Sequence, residues 1–206
     1  MNDCMNERSA AFWLGVRALL PMHLGVMPFG VIYGIVALQS GIPPLVAVLM
    51  SSTVFAGSAQ FLLAQLVGLG APALLMIGAA GLVNLRHALY SASGAPVLEH
   101  LPMRWKLLLA YFLTDEAYAA AIPHLLASPR SQFAHWILLG AGLALWAGWQ
   151  IATIVGVVLG AGLPNDWSLD FALPLTFIAI VVPLLTDRRR IAVALTAGML
   201  PGRAAR

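Results

Sequence analysis

Long apolar stretches, separated by short polar or Gly- and Pro-containing segments, dominate the pattern of this 206-residue chain. A transmembrane helix needs about 20 consecutive apolar residues. The stretches predict spans at about residues 17–38, 45–67, 73–94, 106–127, 133–163 and 169–186. We therefore expect an all-α, polytopic membrane bundle of about six helices, forming one domain over residues 1–206.

The two ends are more polar. We predict a short N-terminal tail over residues 1–11 and a basic C-terminal tail over residues 187–206. An apolar stretch at 191–200 lies within this tail and is too short to cross a membrane alone, so we expect a stub. The first apolar run lacks a cleavage pattern at a plausible distance, which favours a retained span over a secretory signal.

Some spans are predicted to be irregular. The fifth run, 133–163, is longer than one straight crossing needs, so it is either tilted or broken near Gly148. The first and sixth spans carry Pro28 and Pro174 in apolar surroundings. Paired interrupted helices are typical of transporters built from related halves. Two ordinary proline kinks are the alternative.

Composition excludes several classes of protein. Hydrophobic residues make up 61% of the chain and charged residues 9%, unlike a water-soluble enzyme. The basic excess is only 11 Lys and Arg against 8 Asp and Glu, and it is concentrated near the C-terminus, so no nucleic-acid partner is predicted. The single cysteine, Cys4, permits neither an intrachain disulfide nor a cysteine metal site, and no cofactor is expected.

The basic residues predict an orientation. With six spans and both termini in the cytoplasm, eight cations are cytoplasmic: Arg8, Arg17, Arg130, Arg188, Arg189, Arg190, Arg203 and Arg206. Arg104 and Lys106 then fall on the opposite side, against the positive-inside rule. Splitting the fifth run into two crossings would reverse the predicted orientation of every segment that follows it.

Two acids stand in the middle of the fourth predicted span. Asp115 and Glu116 would each cost from about 3 to more than 10 kcal/mol there unless they meet water, a cation or a proton. Neighbours on a helix point about 100° apart, so we expect one acid toward a cavity and the other toward a neighbouring helix. A helix break with the acids near an interface is the alternative.

The third predicted span offers the counter-charge, Arg86, together with Asn84, His87, Tyr90 and Ser91. The alternatives are interfacial anchoring for Arg86 and a satisfied interior histidine for His87. Protonation of a buried acid or of His87 would couple transport to protons.

The second predicted span contributes neutral polar groups. Ser51, Ser52 and Thr53 suit helix packing, whereas Gln60, in mid-span, is expected to bond a partner or a substrate. The pairs Gly30 with Gly34 and Gly156 with Gly160 have the spacing of close helix contacts.

These groups together suit a small zwitterion, because Arg86 is a cation and Asp115 and Glu116 are carboxylates. An intramembrane hydrolase using Ser58 and His87 is a rival from another class, but the chain has no Gly-x-Ser-x-Gly motif. A non-transporting accessory subunit is a third possibility.

Five strings also resemble one known family: MPFGVIYG (27–34), MSSTVFAGSAQF (50–61), NLRHALYS (84–91), LTDEAYA (113–119) and LDFALPLTF (169–177). In order and spacing they are similar to the AzlC family. The resemblance implies a non-enzymatic bacterial plasma-membrane protein, the large subunit of a two-component exporter of leucine, isoleucine and valine, with a small hydrophobic AzlD-type partner. Members of that family usually continue through a further hydrophobic segment or two after the stretch at 191–200, so we expect either a shortened member or a truncated C-terminus. The residues that match, which we predict to bind substrate, are Gly57, Ser58, Gln60, Asn84, Arg86, His87, Asp115 and Glu116.

Overall fold

The computed structural model of the protein describes residues 2–127 and 133–162. Within these ranges it contains α-helices and one short 3-10 turn, Leu20–Met22, and no strand. The expected all-α architecture is confirmed. The helices are α1 (Asn2–Leu19), α2 (His23–Gln39), α3 (Pro44–Val54), α4 (Gly57–Gly68), α5 (Ala73–Leu98), α6 (Met103–Phe112), α7 (Asp115–Ala127) and α8 (Ala134–Ala161).

Three helical stretches in the described residues are long and apolar enough to cross a membrane: Met5–Gln39, Ala73–Leu98 and Ala134–Ala161. They correspond to the first, third and fifth predicted spans. Helix α8 runs through Gly148 without a break, so the fifth run is one helix of 28 residues, about 42 Å long. Residues 2–11, predicted as a tail, belong to α1.

Helix α8 is the centre of the bundle, and glycines bring α2 against it. A Cβ added at Gly34 would lie 2.5 Å from the carbonyl oxygen of Thr153, and one at Gly160 would lie 3.1 Å from Cα of Ile35. These approaches leave no room for a side chain. They confirm that the two glycine pairs predicted from spacing serve helix contact.

The second predicted span is wrong as a single helix. It consists of α3 and α4, separated where Phe55 adopts a left-handed conformation (φ 39°) and Ala56 is extended. The start of α3 follows Ser40 by four residues, and a Cβ at Gly68, the last residue of α4, would lie 3.5 Å from Cα of Ser40. Both ends therefore lie beside the end of α2, and the pair forms a hairpin, hairpin 1, rather than a crossing.

The fourth predicted span is also two helices, α6 and α7, broken at residues 113–114. Trp105, near the start of α6, packs 5.2 Å from Trp136 at the beginning of α8, whereas Phe112 at its end lies against Gly142. Helix α7 then returns, since only residues 128–132 separate its end from Phe133. The two helices form hairpin 2.

The hairpins enter the bundle from opposite ends. The lower end is where α8 begins, and it also holds Arg8 of α1, whose guanidinium lies 5.9 Å from the ring centroid of Phe133. The upper end is where α2 and α8 both finish. Hairpin 2 starts from the lower end and hairpin 1 from the upper end, so their tips meet at mid-height.

The interruption predicted at Pro28 is absent, because α2 continues through that residue. The first apolar stretch changes its helix type earlier, at the 3-10 turn containing Pro21. The sixth span at 169–186, with Pro174, the stub at 191–200 and the C-terminal tail all lie outside the described residues.

Candidate functional site

The tips of the two hairpins touch each other. The buried ring of Phe55 lies 5.8 Å from that of Tyr111 and 6.4 Å from that of Phe112. The Tyr111 hydroxyl donates a hydrogen bond to the carbonyl oxygen of Ser52 at the end of α3, and accepts one from Trp146 Nε1 at 3.0 Å. A side chain of hairpin 2 thus binds backbone that the break in hairpin 1 has freed from the helix.

A charged cluster lies beside these tips. Arg86 Nη1 is 2.5 Å from Asp115 Oδ2, and Arg86 Nη2 donates a hydrogen bond of 2.6 Å to Ser58 Oγ. His87 Nε2 is 3.8 Å from Asp115 Oδ1. Three separate elements, α4, α5 and α7, therefore bring Ser58, Arg86, His87 and Asp115 together.

The position of Arg86 argues against anchoring at the membrane surface. It lies at the middle of α5, about 18 Å or more from either end of the helix. A snorkelling side chain spans only part of that distance. Its partner is instead an acid on another helix. The helix break that was the alternative for the two acids is present at residues 113–114, immediately before Asp115, but it lies where the two tips meet.

The cluster has unused hydrogen-bonding capacity. Among the described residues, three of its buried polar atoms have no hydrogen-bond partner: Arg86 Nε, His87 Nε2 and Asp115 Oδ1. The side-chain oxygen of Asn84, two residues before Arg86 on α5, is also buried without one. The side chains of Arg86 and Asp115 are still 33% and 34% exposed. The ion pair is thus not sealed inside the protein, and it retains one unpartnered donor, Arg86 Nε, and one unpartnered acceptor, Asp115 Oδ1, for a polar molecule.

The N-termini of two helices add partial positive charge to the site. Helix α4 begins at Gly57 and Ser58, and α7 begins at Asp115 and Glu116. The first amides of a helix lack intrahelical partners and attract negative charge. Glu116 makes no ion pair within 4 Å among the described residues, so a carboxylate remains for a cationic group.

Gly57 and Gln60 lie on a different side of α4. Gln60 is fully buried and accepts a 3.1 Å hydrogen bond from Trp149 Nε1 of α8, which confirms that it bonds a partner. A Cβ at Gly57 would lie 3.1 Å from the Trp149 ring and 3.3 Å from that of Phe29. These two predicted site residues therefore face α2 and α8, and no described contact joins them to Arg86.

Polar residues of α8 were missed by the sequence analysis. Thr153 bonds Ser51 at 3.0 Å, and Gln150 accepts a 3.0 Å hydrogen bond from Ser52. These contacts confirm the packing role of the serines. Trp149 and Gln150 each lie about one helical turn from Thr153 within an apolar run, a polar pattern that was available in the sequence.

The geometry offers nothing to a serine hydrolase. Ser58 Oγ accepts its hydrogen bond from Arg86, and no described bond joins it to His87. A nucleophile and its base need to lie within hydrogen-bond reach. In residues 2–127 and 133–162, no group of three or more His, Cys, Asp and Glu side chains is arranged to hold a metal ion.

Comparison with known proteins decides the family, since residues 21–163 match the AzlC protein family. The chain belongs to the AzlC family. The AGSAQF and NLRH strings, which supply Ser58 and Arg86, lie inside the matched range. No solved structure matches the chain.

The relatives are membrane proteins. The chain is 27% identical to inner membrane protein YgaZ of Escherichia coli, over 93% of this chain and 80% of YgaZ. It is 27% identical to the branched-chain amino acid transport protein AzlC of Bacillus subtilis, over 88% of this chain and 72% of that protein. An uncharacterized membrane protein of Archaeoglobus fulgidus is 28% identical, over 88% of this chain and 80% of that protein.

Proposed function

We propose that the protein exports branched-chain amino acids and binds them at the Arg86–Asp115 cluster. The observation that carries the proposal is the ion pair of these two residues, partly exposed at the middle of α5 where two broken helices meet. A charge pair at that depth is costly without a function. The Bacillus subtilis relative, named as a branched-chain amino acid transport protein, supports the choice of cargo.

Each end of the zwitterion has a complementary group. Its carboxylate binds Arg86 and the first amides of α4 near Ser58, where the helix dipole favours an anion. Its ammonium binds Asp115 and Glu116, of which Glu116 has no ion-pair partner among the described residues. Broken helices that present their ends to a zwitterion are a known design of transporter sites.

The cations support an orientation with the lower end in the cytoplasm. Because hairpin 2 starts from the lower end, Arg104 and Lys106 lie there together with Arg8. Six crossings had placed Arg104 and Lys106 on the side opposite to Arg8, against the positive-inside rule. That conflict disappears here, and the rule makes this end cytoplasmic. We propose a bacterial inner membrane, with the N-terminus inside. A cytoplasmic C-terminus remains a prediction.

The proposal includes a second subunit, a small hydrophobic protein of the AzlD type. Helix α5 is consistent with one, because its most apolar window has no buried residue in the structure. Purification of the tagged chain from cells producing both proteins tests this. Recovery of the small subunit in a fixed ratio is expected, and its absence would favour a single-subunit transporter.

Efflux of labelled leucine from loaded vesicles tests the function. We expect Arg86→Gln and Asp115→Asn each to reduce efflux at least about tenfold, the loss of roughly one charge-assisted contact. Arg17→Gln, which removes a cation from the exposed surface of α1, is the matched control and should leave efflux unchanged. Wild-type efflux no faster than that of leucine-loaded vesicles without protein would favour an accessory subunit.

A further inference from the structure

A cavity of about 370 Å³ lies below the charged cluster, between α5, α6, α7 and α8. Its volume is within the range of about 300–1,000 Å³ that is usual for small-molecule sites. The residues lining it are Tyr90, Ser91, Gly94, Ala95, Leu98, Glu99, Lys106, Leu107, Leu109, Ala110, Leu113, Tyr118, Leu125 and Leu138. Only a few of these carry polar side chains, and those few lie at its two ends.

The upper end of the cavity adjoins the charged cluster. Tyr90 is one helical turn below Arg86, and Tyr118 is one turn below Asp115. Their rings stack with centroids 4.8 Å apart, and the Tyr118 hydroxyl is 2.6 Å from Ser93 Oγ. This tyrosine pair separates the cavity from the ion pair above it.

The middle of the cavity is open and apolar. Gly94 is buried, yet a Cβ added there would meet no atom within 4 Å. A buried position with free space in front of it faces a void rather than a neighbouring helix. The surrounding leucines make this void suitable for an aliphatic group.

The lower end carries one charge of each sign. Glu99 caps α5 and Lys106 lies in α6, and both are exposed. Among the described residues they do not form an ion pair within 4 Å. A carboxylate and an ammonium at the mouth of an apolar cavity are complementary to an amino acid with an apolar side chain.

We propose that this cavity is a second binding site for apolar α-amino acids, on the cytoplasmic side of the ion pair and occupied before they reach Arg86. Glu99 binds the ammonium, Lys106 binds the carboxylate, and the side chain lies over Gly94. The inference rests on the proposed transport of amino acids. It adds a selection step, because a polar side chain loses its hydration in the leucine-lined void.

Cysteine protection tests the site without depending on transport. Cys4 is the only cysteine, so Cys4→Ser gives a silent background for Gly94→Cys. At a leucine concentration about ten times its dissociation constant, labelling at position 94 by a small thiol reagent should slow about tenfold. Lysine, whose side chain is charged, should not protect. Gly81→Cys, on the same helix, exposed and outside the cavity, is the control and should not be protected by leucine.

A steric variant adds a functional readout. An added Cβ at Gly94 meets no atom within 4 Å, so the Gly94→Leu side chain extends into the cavity, and we expect at least about tenfold slower leucine efflux at low concentration. Gly25→Leu makes the same substitution on α2, where an added Cβ would meet nothing within 4 Å, and should transport as wild type. If wild type exports leucine but leucine leaves labelling at 94 unchanged, the second binding site is wrong and the proposed function stands. If wild type exports no leucine while leucine protects position 94, the proposed function is wrong and the second binding site stands.

Discussion

Arg86 and Asp115 form a 2.5 Å ion pair that joins the middle of the continuous helix α5 to the first residue of the half-helix α7. The pair is inside the bundle but one-third exposed, so its charges are paired yet still reachable. This arrangement allows a zwitterion to replace the ion pair. Its carboxylate pairs with Arg86 and its ammonium pairs with Asp115, so neither side chain is left without a counter-charge.

The first prediction concerns the stability of this pair. Either Arg86→Gln or Asp115→Asn leaves one charge unpaired inside the bundle and should destabilise the protein by about 1–3 kcal/mol, less than for a sealed pair because solvent screens it. The double variant should recover part of that loss, as measured by thermal unfolding in detergent. Additive losses in the double variant would show that the pair is not coupled.

The second prediction concerns the contact of α2 with α8. Gly34→Ala places a Cβ 2.5 Å from the Thr153 carbonyl oxygen, and overpacking of this kind costs about 1–3 kcal/mol. Gly25→Ala is the matched control on the same helix, because its Cβ would meet nothing within 4 Å. It should be neutral or slightly stabilising, by up to about 1 kcal/mol of helix propensity. Equal melting temperatures for the two variants would contradict the tight contact.

The third prediction concerns the contact between the tips. Tyr111→Phe keeps the ring that packs on Phe55 but removes the hydroxyl that joins Ser52 to Trp146. Interhelical hydrogen bonds in membranes average about 0.6 kcal/mol, so two lost bonds should cost roughly 1 kcal/mol. Thermal unfolding measures this loss. A variant as stable as wild type would mean that the hydroxyl does not hold the tips together.

The fourth prediction concerns topology. In the Cys4→Ser background, cysteines at Arg8 and Arg104 should both react with a membrane-impermeant reagent from the cytoplasmic side, because both positions lie at the lower end. A cysteine at Leu69, an exposed residue between α4 and α5, should react from the other side. Labelling of positions 8 and 104 from opposite sides would restore the six-crossing arrangement.

Sequence reasoning located the ionic groups because charge inside an apolar run is visible without tertiary information. It did not recognise the hairpins, because apolar length alone makes residues 45–67 look like a crossing. The break at Phe55 and Ala56 contains neither Gly nor Pro, although Gly57 follows it directly. The misplaced cations, Arg104 and Lys106, were the sign that a predicted crossing was wrong.

The interior partners were less predictable still. Trp149 donates to Gln60 from 89 residues away, and Gln150 accepts from Ser52 across 98 residues. Such pairings depend on how helices pack, not on local pattern. The glycine spacings were an exception, because close helix contact itself requires small residues at four-residue intervals.

Binding of leucine analogues to purified protein tests the central claim most directly. If Arg86 binds the cargo carboxylate, an analogue lacking that carboxylate should bind wild type at least about tenfold more weakly than leucine, but should bind Arg86→Gln about as well as leucine does. The same comparison applies to Asp115: an analogue lacking the amino group should bind wild type more weakly than leucine, but should bind Asp115→Asn about as well as leucine does. The same penalty for the missing carboxylate in wild type and in Arg86→Gln would contradict the account.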